Sequence, residues 1–449
     1  MAQTYDLTEG RVTKQILNFF FPMLMTNMLQ QVYNFADTVV VGKGLGDNAL
    51  ASVGNMSSLT FLIFGFSMGL AGGFAVSIAQ SFGAKDYAKM RKAVASSIKL
   101  ALYIALILTV LSLTMLKPVL ILLQTDEAIL GGSLVYGYII FGGLITTIAY
   151  NVCANILRAL GDSKTSFYAI IASSVINVGL NCLFIFVFKT GVEGVAIATI
   201  IAQIVSVLIC LRKLTHIDIL KLKRGDFATD MRMYLELFKN GLPMAIMNSI
   251  TAVGCMVVQY FVNGMGVACT SAYSTCSKYL NLFMQPACTA GFAMSSFTSQ
   301  NLGAKKYGRI REGLKVCLLI AIITYVVFGS VMVFFPGMLA RTMLNGALPI
   351  SFAVQTLPIC GIMIFTVDIM FVLRSGCQGM GKPLFPMISG IAEMVMRIGV
   401  IMLLSASLGY VATAYAEISA WMSALIINGL AFFINLNKLQ KRDNTEVSE

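Results

Sequence analysis

Charge is scarce in this chain. Only 12% of its 449 residues are Asp, Glu, Lys or Arg, while 57% are hydrophobic and the mean hydropathy is +0.82. A soluble domain carries roughly a quarter charged residues, so a water-soluble globular fold is excluded. Histidine is nearly absent: His216 is the single one. The ten cysteines are scattered, mostly within apolar runs, and form no C-x-x-C pair, which speaks against a zinc site or a disulfide framework. With no second His and no Ser or Cys nucleophile in a recognisable context, no hydrolase or redox constellation assembles. No enzyme activity, cofactor or metal centre is expected. No cleavable signal peptide is expected, since MAQTYDLTEGRVTKQ contains Asp6 and Glu9 and lacks an apolar core. The first long apolar run is then its own targeting signal.

What the chain has in abundance is apolar runs long enough to cross a hydrocarbon core about 30 Å thick. They fall near 15–41, 50–80, 95–117, 130–157, 166–188, 192–211, 234–262, 270–299, 314–336, 348–373, 384–406 and 409–436. The expected fold is therefore an all-α polytopic membrane protein with twelve transmembrane helices, and its first partner is the lipid bilayer. Of the 32 Lys and Arg, 26 fall at the two ends of the chain, in the turns around residues 85–99, 158–164, 305–315 and 374–382, and in the connection 212–239. By the positive-inside rule, both termini and that connection lie on the cytoplasmic side of the cell (inner) membrane. The basic net charge of +12 has this explanation, and no nucleic-acid partner is needed for it.

The chain also repeats itself. SFGAKDYAKMRKAV, residues 81–94, returns 220 positions later as NLGAKKYGRIREGL, residues 301–314. Pro22 has a partner in Pro243, Arg158 of LRALGD in Arg374 of LRSGCQGMG, and Gly161 in Gly381. GVEGVAIA from Gly191 faces GYVATAYA from Gly409 at a spacing of 218. So long a period is a whole lobe. Residues 1–229 are read as a first lobe of six spans with the central connection, and residues 230–449 as a second lobe of six. An even number of spans per lobe makes the repeats parallel, two six-helix bundles related by a pseudo-two-fold axis along the membrane normal. The boundary segment KLTHIDILKLKRGDFATDMR mixes charges and apolar residues at near-helical spacing, which predicts a short amphipathic helix on the membrane surface.

Polar groups inside a membrane are expensive and mark function. Asp37 is the only acidic residue deep in a span of the first lobe, with no Lys or Arg at comparable depth, and its repeat counterparts are Val257 and Val258. Two readings stand: a carboxyl that carries a proton or holds a cation for coupling, or one that merely bonds a neighbouring helix. Asn177 and Asn181 share one helix face, Thr199 sits in the sixth span, and Asn34 lies three residues before Asp37. Together they offer carboxylate, amide and hydroxyl oxygens suited to H⁺ or Na⁺, or simple links between helices. In the second lobe, Glu393 and Arg397 form an i, i+4 pair that neutralises itself. Asp368 stands alone in sequence as a second coupling or substrate carboxylate, with Lys278 as its expected counter-ion.

The run LTEGRVTKQILNFFFPMLMTNMLQQVYNFADTVVVGKGLGDNALASVG, the SQNLGAKKYGRIREG echo and LRALGDSKT together resemble the multidrug and toxic compound extrusion (MATE) family. The likeness extends from about Leu7 to the last span. It implies two six-helix bundles that export small organic cations against inward flow of H⁺ or Na⁺. It also implies a first-lobe cation site at the positions of Asp37, Asn177, Asn181 and Thr199. Asn181 stands where many members have an Asp, and a site with one carboxylate offsets less of the dehydration of Na⁺, so H⁺ is the expected coupling ion. The family pattern further implies a second-lobe acid at Asp368, but no acid partners it in the seventh span, where Gln259 is the nearest polar group. A monomer is expected. A flippase for a lipid-linked precursor and a passive channel are the alternatives; the first would need several cationic cavity residues, the second a polar ring or filter.

Overall fold

The structure is a computed structural model, and it describes residues 6–122, 125–228 and 230–448. Among these residues all regular structure is helical. In chain order the α-helices are α1 (Val12–Leu45), α2 (Asp47–Gly83), α3 (Tyr87–Leu122), α4 (Glu127–Gly142), α5 (Leu144–Ala159), α6 (Lys164–Cys182), α7 (Val192–Thr215) and α8 (Met231–Gly264). They continue with α9 (Val267–Phe283), α10 (Gln285–Gly303), α11 (Tyr307–Thr324), α12 (Ser330–Phe334), α13 (Pro336–Met343), α14 (Ala347–Gly379), α15 (Leu384–Leu408) and α16 (Ala412–Ser448). By length and apolarity, eight described helices suffice to span a membrane, or nine with α4 and α5 taken as one span bent by 46° at Gly143. One of the eight, Leu384–Lys441, contains two spans, α15 and α16. The remaining two of the expected twelve are α1, which carries Asn27, Gln30, Gln31, Asn34 and Asp37, and the pair α9 and α10, rich in Ser and Thr. These are the more polar spans, and in the second of them Pro286 opens α10 rather than kinking a continuous helix.

The chain divides into two compact units, one formed by Phe21–Gly241 and the other by Leu7–Phe20 together with Leu242–Glu449. Thr229, the expected last residue of the first lobe, lies outside the described residues; the division falls later, after Gly241, and the start of α1 belongs to the second unit. In the first unit α2 packs on α5 and α6 on α7, with Met56, Leu116, Ile140 and Phe141 buried between helices. In the second, α14 is the axis against which α9, α10, α11 and α16 pack, around Leu357, Ile364, Met370 and Trp421. Large side chains such as Leu102, Leu106, Val110 and Leu403 point outward, a surface that only lipid can cover at low cost.

The internal repeat is written in the backbone. Four pairs of residues with positive φ stand 220 apart: Gly46 and Gly266, Lys85 and Lys305, Gly161 and Gly381, Lys189 and Gly409. The last pair corrects the expected spacing of 218, because Lys189, not Gly191, is the counterpart of Gly409. Helix ends match bond for bond: Leu160 N–H to the Ile156 carbonyl and Asp162 to Leu157 recur as Met380 to Gly376 and Lys382 to Cys377. By the same offset Gln378, not Arg374, occupies the place of Arg158. Lys85 (φ 57°) and Lys305 (φ 55°) fill a turn that glycine usually fills after a helix. Their positive charge there favours the negative helix end.

The repeated motif clamps an entering segment. In the second unit Arg309 donates to the carbonyls of Gly10 (2.9 Å) and Leu7 (3.2 Å), Lys306 to that of Thr8 (2.9 Å), and the Gln300 side chain accepts from Leu7 N–H (2.9 Å). In the first unit the other copy holds the segment entering α8: Lys89 pairs with Glu236 (3.0 Å), Arg91 with Asp226 (3.5 Å), and Lys99 Nζ meets the Phe227 carbonyl. That segment is not the expected amphipathic helix. Among its described residues between 216 and 230 it makes two 3₁₀ turns, Asp218–Leu220 and Arg224–Phe227. Asp226 accepts from the Lys223 N–H (2.8 Å), which favours a turn over helix propagation, and Ile217 and Leu220 are buried as anchors. Close by, a Cβ on Gly73 would lie 2.3 Å from the Gly241 Cα, so α2 and α8 touch through glycine.

Arg309→Ala, which removes bonds to an exposed and a part-buried carbonyl, should therefore lower the thermal stability of the purified protein by about 1.5 kcal/mol, the low end of the range for hydrogen bonds to charged groups. Lys89→Ala, which removes an ion pair between half-exposed side chains, should cost under about 1 kcal/mol. The reverse ranking in a melting experiment would contradict this account of the clamp.

Candidate functional site

In the last third of α1 the polar face turns inward at Asp37, which is half-buried. The Asn181 amide on α6 donates to the Asp37 carboxylate and, over 2.9 Å, to Asn177 Oδ1; Asn177 Nδ2 in turn donates to Thr199 Oγ1 on α7 (3.3 Å). A single chain of hydrogen bonds thus joins α1, α6 and α7 within the first unit. Asn177 and Asn181 are almost wholly buried, and Asn181 Oδ1 has no hydrogen-bond partner among the described residues. A buried amide oxygen left open beside a carboxylate is an acceptor in want of a donor or a cation. Asn34 does not join the cluster. It is exposed, and its bond is a main-chain one, its carbonyl accepting from Thr38 Oγ1 (2.8 Å). Three residues before an inward position is close to one turn but not the same direction.

Sequence reasoning missed two tyrosines. Tyr33, one turn before Asp37, hydrogen-bonds Thr199, and Tyr136 of α4 also stands near the carboxylate. The i, i−4 spacing pointed to Tyr33; nothing local points to Tyr136, which arrives by tertiary packing. Arg158 is a further omission, for the first lobe does hold an interior cation: its guanidinium lies in the wall of a cavity with Tyr33 and Thr199.

The second unit does not assemble its expected site. Asp368 is fully buried and both carboxylate oxygens lack a hydrogen-bond partner among the described residues, whereas Lys278 is exposed and cannot be its counter-ion. Gln259 donates to Asn263 on its own helix (2.7 Å), on an exposed face. The pair Glu393–Arg397 is also redirected. Glu393 pairs with Arg374 of α14, and Arg397 donates to Glu417 of α16 (2.9 Å), with the Tyr273 hydroxyl 3.5 Å from the same carboxylate. The i, i+4 geometry that would join them is outweighed because each has a partner of opposite charge on a facing helix. By the 220 offset Arg397 stands where the first unit has Asn177, and its Nη1 lies 3.3 Å from a Cβ built on Gly254, the counterpart of Asn34. The second unit therefore places a guanidinium where the first offers an amide. Among the described residues no group of three His, Cys, Asp or Glu could hold a metal.

These features define a polytopic helical membrane protein of two six-helix bundles with a carboxylate site inside the first. The sequence pattern of the MatE family matches residues 22–183 and again 243–403, and the chain belongs to that family of transporters. It is 30% identical over 321 residues to the probable multidrug resistance protein YoeA of Bacillus subtilis, covering 70% of this chain and 69% of that one. To the probable multidrug resistance protein YpnP of the same organism it is 28% identical, covering 69% of each. Among solved structures, a crystal structure of MATE in the bent conformation superposes with a TM-score of 0.92 at 20% identity, over 98% of this chain and 99% of that one.

Glu417→Gln should leave Arg397 buried and unpaired, a loss of about 3–5 kcal/mol read as a lower melting midpoint. Replacing both partners, Arg397→Met with Glu417→Leu, should recover most of it. A single variant as stable as the parent would sink the assigned pairing.

Proposed function

We propose that this protein is a secondary antiporter of the cell membrane that exports small organic cations in exchange for H⁺, by alternating access, with Asp37 as the coupling carboxylate. Membership in the MatE family and the two relatives described as multidrug resistance proteins support the transport reading. The distribution of Lys and Arg supports cytoplasmic termini. Transport rather than chemical conversion is its activity, and one chain is the working unit.

The observation that carries the reading is the Asp37–Asn181 contact beside an unpartnered amide oxygen. Charged Asp37 accepts from the Asn181 N–H. Once protonated, it becomes a donor, and the acceptor within reach is Asn181 Oδ1. Using it requires the amide to turn, which breaks the Asn181 to Asn177 bond and loosens the chain that ends at Thr199. Proton binding thus changes how α1, α6 and α7 are tied. A ligand shifts a conformational equilibrium only through such a difference between states. Release of an organic cation on protonation follows from the loss of negative charge at Asp37.

One carboxylate with amide and hydroxyl partners favours H⁺ over Na⁺, because little charge is there to offset the dehydration of a metal ion. Asp368 is the candidate for a second protonatable group. A lipid-linked pyrophosphate substrate is disfavoured: among the described residues the first-unit cavity wall carries one cationic side chain, Arg158.

In inverted vesicles, uptake of a fluorescent organic cation should follow an imposed pH gradient and not an Na⁺ gradient. Asp37→Asn should abolish drug-coupled proton movement, to below a tenth of the parental rate, while leaving membrane insertion intact. Full coupled transport by that variant would refute the proposal.

A further inference from the structure

On its outer side the first unit carries a groove of about 610 Å³ between α3, α5 and α7. The floor is buried and aliphatic, with Val94 and Ala105 of α3 and Ile148 of α5, while Leu102, Ile145 and Leu211 stand exposed along the edges. Large exposed aliphatic side chains at the edges mean that the groove opens toward lipid. From Val94 to Ala105 on α3, and again from Ile145 to Ile156 on α5, the lining extends about 16 Å at 1.5 Å per residue. That is close to half of a hydrocarbon core about 30 Å thick, the depth of one leaflet.

One end of the groove is polar. Thr215 at the end of α7 and Lys221 of the connection line it there. The 3₁₀ turn Asp218–Leu220 packs on both α3 and α7, with Ile217 and Leu220 buried, so the connection is fixed at the groove mouth. Between Arg212 and Arg224 the chain carries five Lys or Arg against one Asp. That acid, Asp218, pairs with Lys221 (2.8 Å), but both side chains are 72% exposed and such a pair is easily exchanged for another anion. A basic cluster at the end of an apolar groove attracts an anionic lipid headgroup and repels an organic cation.

The second unit treats the equivalent place differently. At 220 positions further most lining residues stay apolar, and Thr215 and Lys221 keep polar counterparts in Asn435 and Lys441. Ala105 and Ile145, however, become Tyr325 and Phe365, whose rings meet edge-on with centroids 5.5 Å apart. Arg212, exposed at the groove mouth, becomes Phe432, which is fully buried. The second unit thus fills from within, by its own aromatic rings, stations where the first has smaller side chains and a charge.

We propose that the groove is a binding site for one anionic phospholipid, with an acyl chain laid between α3, α5 and α7 and the headgroup phosphate at Lys221 and the basic connection. An empty groove forfeits dispersion contacts along both walls, and a flexible chain of one leaflet's length restores them. The site takes a membrane component as its ligand and is independent of the coupling role of Asp37.

The test uses the full-length purified protein and phosphatidylglycerol carrying a photoreactive diazirine in one acyl chain, with phosphatidylcholine of the same chains as the comparison. Photolysis and peptide mass spectrometry should place the phosphatidylglycerol crosslinks on groove residues such as Leu102, Ile145 and Leu211, with weaker labelling by phosphatidylcholine. Lys221→Gln should weaken phosphatidylglycerol labelling about fivefold, the share of one surface cation, and leave phosphatidylcholine labelling unchanged. Ala105→Tyr with Ile145→Phe installs the side chains of the second copy and should abolish labelling in the groove with helix content unchanged. Should that variant fail to fold, Lys221→Gln alters only an exposed side chain and still decides. Equal labelling by the two lipids, labelling around Tyr325 and Phe365 as strong as in the groove, or a folded variant of either kind labelled like the parent would overturn the site.

Discussion

Nothing in this molecule is as costly as a charge away from water, and its interior is organised by how each one is met. In the second unit two buried arginines are met by pairing, Arg374 with Glu393 and Arg397 with Glu417, while Asp368 is buried without a hydrogen-bond partner among the described residues. In the first unit the answer is hydrogen bonding alone, an Asn181 amide set against the Asp37 carboxylate. A charge met by an opposite fixed charge is settled in one protonation state. One met by a neutral amide can change state without leaving a stranded partner. That difference separates a structural ion pair from a carboxylate suited to the coupling role proposed for Asp37.

The duplication makes this a comparison within one chain. Four pairs of left-handed residues and the matched helix ends fix the two halves in register at 220. Given that register, Asn177 becomes Arg397 and Asp37 becomes Val257. The guanidinium of Arg397 sits against Gly254, on the helix equivalent to the one bearing Asp37. The second unit has a tethered cation where the first has the Asn177 amide. Divergence of the two interiors on a common scaffold follows from the economy of a repeat, in which backbone turns are retained and only the lining changes.

Much of the fold was legible in the sequence because transmembrane helices announce themselves by length and apolarity, and because the repeated G-A-K motif is a turn with fixed chemistry. Asp37, Asn177, Asn181 and Thr199 were legible for the same reason: polar groups in an apolar run have few places to go. What misled was reasoning from neighbours in sequence. Glu393 and Arg397 are four apart, yet the partners that hold them come from α14 and α16, and Lys278 points outward while Asp368 is sealed inside. Likewise Asn34 is near Asp37 along the chain but turned away. The connection from 212 to 233 looked helical by spacing, although Asp226 bonding back to Lys223 makes turns instead. The cavity that includes Arg158 was invisible because no single helix reveals it; side chains of α1, α2, α5, α6 and α7 form it only when they meet.

The division of the chain adds a mechanical consequence. Helix α1 begins in the second unit, where Arg309 and Lys306 hold its approach through main-chain carbonyls, and carries Asp37 in the first. Helix α8 reverses this, its first residues clamped in the first unit by Lys89 and by the glycine contact at Gly73. Just past each crossing stands a proline inside the helix, Pro22 and Pro243. A proline removes a main-chain hydrogen bond and lowers the cost of bending there. The two helices that pass between units are thus each anchored on one side and weakened at the crossing.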